Sequence, residues 1–116
     1  MVDGLAVAVG SSHAMIERTA VLDHALIAAL AEAVPVPLVL HGSSGVPDDE
    51  LWRAVQAGMV KVNVGTGLNI AFTGAVREVL AADDRVVDPR RYVAPGRAAM
   101  TAYVARCQAV LAGAAP

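Results

Sequence analysis

The chain repeats one pattern three times: a short apolar run, a loop of small and polar residues, and a stretch rich in helix-forming residues. These segments cover residues 5–9 and 37–40, which are apolar, and residues 60–64, in which valines alternate with Lys61 and Asn63. Parallel strands need a helical crossover between them, so this order predicts βαβ units around a parallel sheet. Two α/β architectures fit, an open flavodoxin-like sheet or part of a (β/α)8 barrel.

Helix signals separate the apolar runs and predict helices over residues 23–33, 47–57, 68–82 and 95–112. Asp23 is a favourable N-cap residue, and Pro35 stops the helix that follows it. The acids at positions 48–50 suit the first turn of the second helix, which Gly58 ends. We therefore expect about three βα units plus terminal helices.

The composition excludes several classes of function. Hydrophobic residues make up 56% of the chain, charged residues 17% and aromatic residues 3%, with a net charge of -2. Ordinary domains are about 45–50% apolar, so the apolar excess predicts that a partner covers part of the surface. An acidic chain with few aromatic side chains is not expected to bind nucleic acid.

Neither a membrane nor an export location is expected. The best apolar stretch, residues 25–40, contains Glu32 and is broken by Pro35 and Pro37, whereas a spanning helix needs about 20 mainly apolar residues. The start lacks the basic region of a signal peptide. A single cysteine, Cys107, excludes an internal disulfide and suits a reducing compartment, so we expect a cytoplasmic protein.

Polar residues follow each of the three predicted strands. His13, His41 and the segment 63–66 lie at these strand ends, the edge at which both candidate architectures bind ligands. An open sheet would be expected to have one dominant phosphate loop. Three strand ends with comparable polar residues favour the converging loops of a barrel.

Two histidines, His13 and His41, end consecutive strands. Neighbouring parallel strands lie about 4.8 Å apart, so the two imidazoles could share one Zn²⁺. Catalytic zinc needs at least three protein ligands, and no third candidate is convincing. We expect His24 to be solvated at a helix start and Cys107 to pack in a core. The alternative for each histidine is a purely structural role.

Two loops of small residues, 42–45 and 63–67, could bind phosphate through backbone N–H groups near helix N-termini. Ordinary turns use the same residues. Neither loop forms a dinucleotide or ATP-binding motif. On the third strand, alternation places Lys61, Asn63 and Gly65 on one face and the valines at 60, 62 and 64 on the other.

Residues 39–47 and 61–66 closely resemble the "VLHG(G/A)S-x-(I/V)P" and "KVN-(V/I)-x-T" motifs of class II fructose-1,6-bisphosphate and tagatose-1,6-bisphosphate aldolases. The resemblance extends through residues 7–13, 70–72 and 88–92, and so covers essentially the whole chain, 1–116. It covers only the C-terminal half of the family, whose members are (β/α)8 barrels. The resemblance thus implies a partial aldolase barrel domain.

The resemblance implies a zinc-dependent enzyme that reversibly cleaves a ketose bisphosphate into dihydroxyacetone phosphate and glyceraldehyde 3-phosphate. It implies that His13 and His41 are two of three zinc ligands. It further implies that the dihydroxyacetone phosphate moiety is held by Gly42, Ser43, Ser44, Asn63, Val64, Gly65 and Thr66. The motifs do not distinguish fructose from tagatose bisphosphate.

This sequence departs from the family in two ways. Ala14 follows the first histidine where the family usually has glycine, a change that is harmless only if the position does not require a positive φ. The Asp-His pair that, on an earlier strand of the family's barrel, supplies the proton-transfer carboxylate and the third zinc ligand has no counterpart in this sequence. We therefore expect no catalytic residue within the chain and negligible activity for the chain alone.

Two hypotheses follow. The chain is a truncated or split aldolase that acts with a missing N-terminal half-barrel, or it is a non-catalytic half-barrel that binds phosphate or assembles with itself through exposed sheet edges. A weaker third hypothesis is a flavodoxin-like phosphosugar binder.

Overall fold

Parallel strands and α-helices alternate along residues 2–114, which the computed structural model describes. The strands are β1 (Leu5–Ala6), β2 (Leu38–Leu40) and β3 (Met59–Val62). The helices are α1 (His24–Ala33), α2 (Asp48–Ala57), α3 (Thr66–Ala82) and α4 (Arg90–Leu111), and a 3₁₀ turn covers Ser43–Gly45. The predicted βαβ order is confirmed.

The sheet has the strand order β1-β2-β3 with both neighbouring pairs parallel. All three residues of the central strand β2 are buried. A parallel strand begins at Leu5 as predicted, but the prediction that it is buried and extends over residues 5–9 is wrong, because only Leu5 and Ala6 form strand pairs and both are exposed. Among the described residues β1 pairs with β2 alone, so this edge strand has no neighbour to bury its outer side.

An irregularity in β3 alters the predicted alternation of its side chains. Leu38 pairs with Met59 but Val39 pairs with Lys61, which leaves Val60 as an extra residue. Val60 is exposed while Val62 packs against the core. The prediction that these valines share one face is therefore wrong. A bulge of this kind changes the face that each following residue presents.

The helix ends follow local capping chemistry. The Asp23 carboxylate accepts a hydrogen bond from the Leu26 N–H at the start of α1, and Gly58 ends α2 with φ 124°. The predicted start of the last helix at Pro95 is wrong, because α4 begins at Arg90 and contains that proline. Asp88 caps this earlier start by accepting a hydrogen bond from the Arg90 N–H at 3.0 Å.

The chain divides into two units, one of residues 2–64 and 109–114 and the other of residues 65–108. Ile27, Leu38 and Leu40 are fully buried in the core of the first unit. In the second unit, Gly67 and Gly96 allow close approach of Tyr103 and Phe72 respectively. No helix among residues 2–114 is long and apolar enough to cross a membrane.

Candidate functional site

The two histidines predicted to act together lie side by side at the carboxyl ends of β1 and β2. The ring centroids of His13 and His41 are 5.5 Å apart and the ring planes are inclined by 60°. Both residues are exposed. They border an open hollow of about 400 Å³, whose other lining residues are Ala6, Val7, Ala8 and Ser11. The small side chains leave room for a ligand beside the imidazoles.

His41 is fixed from two directions. Its carbonyl oxygen accepts a hydrogen bond from the Ser11 hydroxyl at 2.6 Å, and its Nε2 lies 2.9 Å from Nδ2 of Asn63. When the Asn63 amide donates this bond, Nε2 is the acceptor and Nδ1 carries the proton of the neutral His41 ring, so the amide must release or turn before this ring can bind a metal ion. The Asn63 N–H in turn donates to the carbonyl oxygen of Leu40 at 2.9 Å. The ends of β2 and β3 are therefore joined directly beside the histidine pair.

The loop after His41 is compact and depends on glycine. Gly42 has φ 68°, and a Cβ added there would lie 2.6 Å from the carbonyl oxygen of Ser12. Ser43 is 4% exposed and its hydroxyl donates to the carbonyl oxygen of Asn63 at 2.6 Å. That hydroxyl is thus engaged within the protein, and the group that Ser43 can offer an anion is its backbone N–H. Ser44 is half-buried in the same turn.

The segment after His13 packs onto this loop. Ala14 has φ 61°, so the position does require the positive φ that the family's usual glycine adopts at least cost. Arg18 donates to the carbonyl oxygen of Val46 from Nε at 3.1 Å and from Nη2 at 2.6 Å, and it also forms an ion pair with Asp48. The Ala20 N–H donates to the carbonyl oxygen of Gly45 at 2.9 Å.

A buried carboxylate, Glu50, makes the next connection between the two segments. Its Oε2 accepts from the Leu22 N–H at 2.9 Å and lies 2.9 Å from Nε2 of His24, while Oε1 pairs with Arg53 at 2.6 Å. The hydrogen bond from Leu22 is the largest cause of a pKa of Glu50 below its usual value of 4.5; burial opposes this shift, and the neighbouring His24 and Arg53 reinforce it.

The expectation that His24 is solvated is wrong. Its side chain is 18% exposed and pairs with Glu50, because the helix that it begins packs against α2. Among the described residues its Nδ1 is buried without a hydrogen-bond partner. Cys107, expected in a core, is half-buried.

The structure brings most of the predicted site residues together in the first unit: His13, His41, Gly42, Ser43, Ser44, Asn63 and Val64. Gly65 and Thr66 belong to the second unit, where Gly65 precedes α3 and Thr66 begins it. The Gly65 carbonyl oxygen accepts from the N–H groups of Leu68 and Asn69 at the start of that helix.

The histidine pair is chemically suited to zinc. Neutral imidazole is a common zinc ligand at about 2.0–2.1 Å, and two rings at this separation can reach one ion. Within residues 2–114 no group of three histidine, cysteine, aspartate or glutamate side chains could hold a metal ion. The residues present therefore fit two of the three ligands that a catalytic zinc needs.

Sequence reasoning did not find the residues that hold these loops together. Ser11, Arg18 and Glu50 bind partners 26 to 30 positions away in the sequence. The only available signals were the position of Ser11 beside the first histidine and that of Glu50 in the first turn of a helix.

Comparison with known proteins identifies the family. A sequence model described as "Fructose-bisphosphate aldolase class-II" matches residues 1–115. The chain is similar to the crystal structure of the YdjI aldolase from Escherichia coli K12, with 29% identity and a TM-score of 0.75 over 97% of this chain and 39% of that one. A putative fructose-1,6-bisphosphate aldolase from Coccidioides immitis gives 26% identity and a TM-score of 0.78 over 95% and 38% of the two chains.

A fructose-bisphosphate aldolase from Campylobacter jejuni gives a TM-score of 0.76 over 91% of this chain and 39% of that one; at 21% identity it supports the fold alone. The chain thus spans about two fifths of the length of these solved structures. Its three-stranded parallel sheet and helices match part of aldolase (β/α)8 barrels, so the predicted α/β fold class is confirmed. The chain belongs to the class II fructose-bisphosphate aldolase family.

Proposed function

We propose that residues 1–116 form a partial barrel domain of a zinc-dependent aldolase. Its reaction is the reversible cleavage of fructose- or tagatose-1,6-bisphosphate into dihydroxyacetone phosphate and glyceraldehyde 3-phosphate. The observation that carries this proposal is the pairing of His13 and His41 directly beside the loop of Gly42 and Ser43 and beside Asn63. Family membership supports a lyase of the aldolase type.

His13 and His41 are, in this proposal, two of three zinc ligands. Zinc, when bound, supplies a Lewis acid that polarises the ketone carbonyl of the substrate. The protein holds the backbone of His41 through Ser11, whereas the Asn63 amide lies against Nε2 of the ring and must release or turn when the ring binds zinc. The open hollow beside the rings is the space that the reacting carbons occupy.

The dihydroxyacetone phosphate moiety is held by the loop after His41 and by the segment after β3. Backbone N–H groups of Gly42, Ser43 and Ser44 bind the phosphate, and a positive φ at Gly42 lets the backbone approach closely. The Asn63 amide binds a polar group of the substrate beside Val64; Gly65 and Thr66 are assigned to substrate binding by the sequence motif alone. These contacts orient the substrate for cleavage.

The chain alone is expected to be inactive. It supplies two histidines, while the Asp-His pair that provides the proton-transfer carboxylate and the third zinc ligand has no counterpart in its sequence. We propose that a segment equivalent to the N-terminal part of the barrel supplies them, and that the assembled enzyme acts in the cytoplasm. The family matches and the single cysteine support this assignment.

Complementation tests the proposal. The purified chain is mixed with the N-terminal part of a class II aldolase, zinc is added, and release of glyceraldehyde 3-phosphate from each bisphosphate is followed with a coupled dehydrogenase. We expect turnover only in the mixture, and none with His41→Ala. Glu32→Ala, an exposed change on α1, is the matched control. Turnover by the chain alone, or a fully active His41→Ala mixture, would contradict the proposal.

A second candidate is a non-catalytic half-barrel that binds phosphate or assembles with itself. It is favoured by the exposed apolar side chains at the two outer strands, where Leu5 is 40% and Val60 71% exposed. Analytical ultracentrifugation with and without zinc separates the two candidates. Self-association without zinc uptake at micromolar metal, and without complementation, supports this candidate over the aldolase.

A further inference from the structure

Ser43 begins the 3₁₀ turn that follows His41 and Gly42. Its hydroxyl is buried and bonded to the carbonyl oxygen of Asn63 at 2.6 Å. Ser43 precedes Asn63 by 20 positions, so the bond joins the loop after β2 to the end of β3. We propose that Ser43 is a positioning residue that sets the place of Asn63 in the substrate site. This inference rests on the proposed function.

Three polar groups of Asn63 bond to β2 or to the loop that follows it. The N–H donates to the carbonyl oxygen of Leu40, the carbonyl oxygen accepts from Ser43, and Nδ2 lies within hydrogen-bond distance of His41 Nε2. β3 ends at Val62, which pairs with Leu40, so Asn63 lies just beyond the last paired residue of the strand. There the Ser43 hydroxyl holds the carbonyl oxygen of Asn63.

The chemistry separates the role of Ser43 from that of its neighbours in the loop. A phosphate group takes hydrogen bonds from backbone N–H groups, which a change at the Ser43 hydroxyl leaves in place. A side-chain amide has both a donor and an acceptor, and suits the hydroxyl and carbonyl groups of a ketose. Loss of the Ser43 hydroxyl should weaken binding of the sugar part and leave binding of the phosphate part unchanged.

The test compares two probes on the isolated chain, inorganic phosphate and dihydroxyacetone phosphate, with dissociation constants measured by ¹⁵N–¹H NMR titration. The variants are Ser43→Ala, which removes the hydroxyl, and Ser43→Thr, which keeps it. Ser12→Ala, an exposed change in the neighbouring loop, is the control. The backbone ¹³C′ shift of Asn63 reports the hydrogen bond itself.

We expect Ser43→Ala to weaken dihydroxyacetone phosphate about three- to tenfold, the effect of one lost hydrogen bond, and to shift Asn63 ¹³C′. Phosphate binding stays within about twofold of wild type by the same reasoning, because the backbone donors remain. Ser43→Thr restores both the affinity and the shift. Equal weakening of the two probes, or an unchanged Asn63 ¹³C′ shift in Ser43→Ala, would overturn the inference.

Two further outcomes are also decisive. If Ser43→Ala does not fold, Ser43→Cys keeps the buried volume with only a weak donor and should show the same selective loss. If the wild-type chain binds neither probe, the titrations are repeated with zinc and the complementing N-terminal part, and absence of binding there contradicts the proposed function. The positioning role is then decided by the Asn63 ¹³C′ shift alone, which Ser43→Ala must move and Ser43→Thr must not.

Discussion

Ala14→Gly should stabilise the protein, which is unusual for a change from alanine to glycine. Among residues 2–114, Ala14 is the one non-glycine residue with a positive φ, at 61°. The left-handed conformation costs an L-residue about 1–2 kcal/mol, and glycine avoids this cost. Glycine loses more backbone entropy on folding, about 0.5–1 kcal/mol. The difference is a net gain of about 0.5–1 kcal/mol in the free energy of unfolding.

Thermal and urea unfolding measure this gain, which corresponds to an increase in Tm of about 2–5 °C for a chain of this length. The matched control is Ala8→Gly. Ala8 is likewise exposed and outside regular structure, but its φ is not positive. The control should lose about 0.5–1 kcal/mol through backbone entropy alone. The two changes are identical in chemistry and should therefore differ in sign.

The reasoning is refuted if Ala14→Gly destabilises the protein as much as Ala8→Gly does. That result would mean that the positive φ at Ala14 stores no strain. A gain in stability would show that the backbone at Ala14, next to His13, is strained in the wild type. Ala14 belongs to the segment that packs on the loop after His41. Strained backbone persists where surrounding contacts determine it, and here those contacts come from Arg18 and Ala20.

Three other predictions concern the contacts around the site. Glu50→Gln should lower the unfolding free energy at pH 7 by about 1.5–3 kcal/mol, since it removes a buried charged acceptor. The folded-state pKa of Glu50 is lowered from 4.5, so its contribution to stability is complete above pH 4.5 and is lost as the pH falls through the folded-state pKa. Urea unfolding from pH 3 to 7 should therefore show that the unfolding free energies of the wild type and Glu50→Gln converge in acid. Arg18→Ala should cost about 1–2 kcal/mol in the same assay, and Arg18→Lys should recover only part, because lysine lacks the planar fork that binds the Val46 carbonyl. Gly42→Ala should lower the unfolding free energy by at least about 2 kcal/mol, because Gly42 has a positive φ and a Cβ there would contact Ser12. Gly74 lies in a helix with open space around it, so Gly74→Ala should raise the unfolding free energy by up to about 1 kcal/mol. Differential scanning calorimetry distinguishes the two signs.

The strand that the sequence predicts best is the one buried on both sides. β2 lies within the predicted residues 37–40, because a continuous apolar run is the pattern of a central parallel strand. The apolar run of residues 5–9 has the same appearance, yet only Leu5 and Ala6 form a strand and Val9 is buried in the loop beyond it. Local composition does not reveal which strand lies at an edge, since that depends on the presence of a neighbour.

The start of α4 shows a different limit of local signals. Two prolines, Pro89 and Pro95, could each mark the first turn of a helix. The helix begins directly after Pro89, because the Asp88 carboxylate caps its first turn and pairs with Arg90 at 2.7 Å. Pro95 is then tolerated within the helix, at the loss of one backbone hydrogen bond.

The site itself was predictable as a set of positions but not as a set of contacts. His13 and His41 follow consecutive strands, and parallel strands bring their carboxyl ends to one edge, so their proximity follows from topology. The bonds from Arg18 to Val46 and from Leu22 to Glu50 span 28 positions each. Such contacts depend on how two irregular segments pack, and no periodicity in the sequence encodes that packing.

These long-range contacts also bear on how the proposed zinc site would assemble. His13 and His41 are both in the first unit, and the segments that follow them are joined through Ala20 and Gly45 and again through Leu22 and Glu50. Folding of this unit therefore brings the two segments together before any partner binds, so that less conformational entropy is lost when the ligands are ordered around an ion. If the histidines bind zinc as proposed, we infer that the number of ligands, rather than their disorder, limits the metal affinity of the chain alone. A complementing segment would then need to add one further ligand and the proton-transfer carboxylate to a pair whose ring centroids lie 5.5 Å apart.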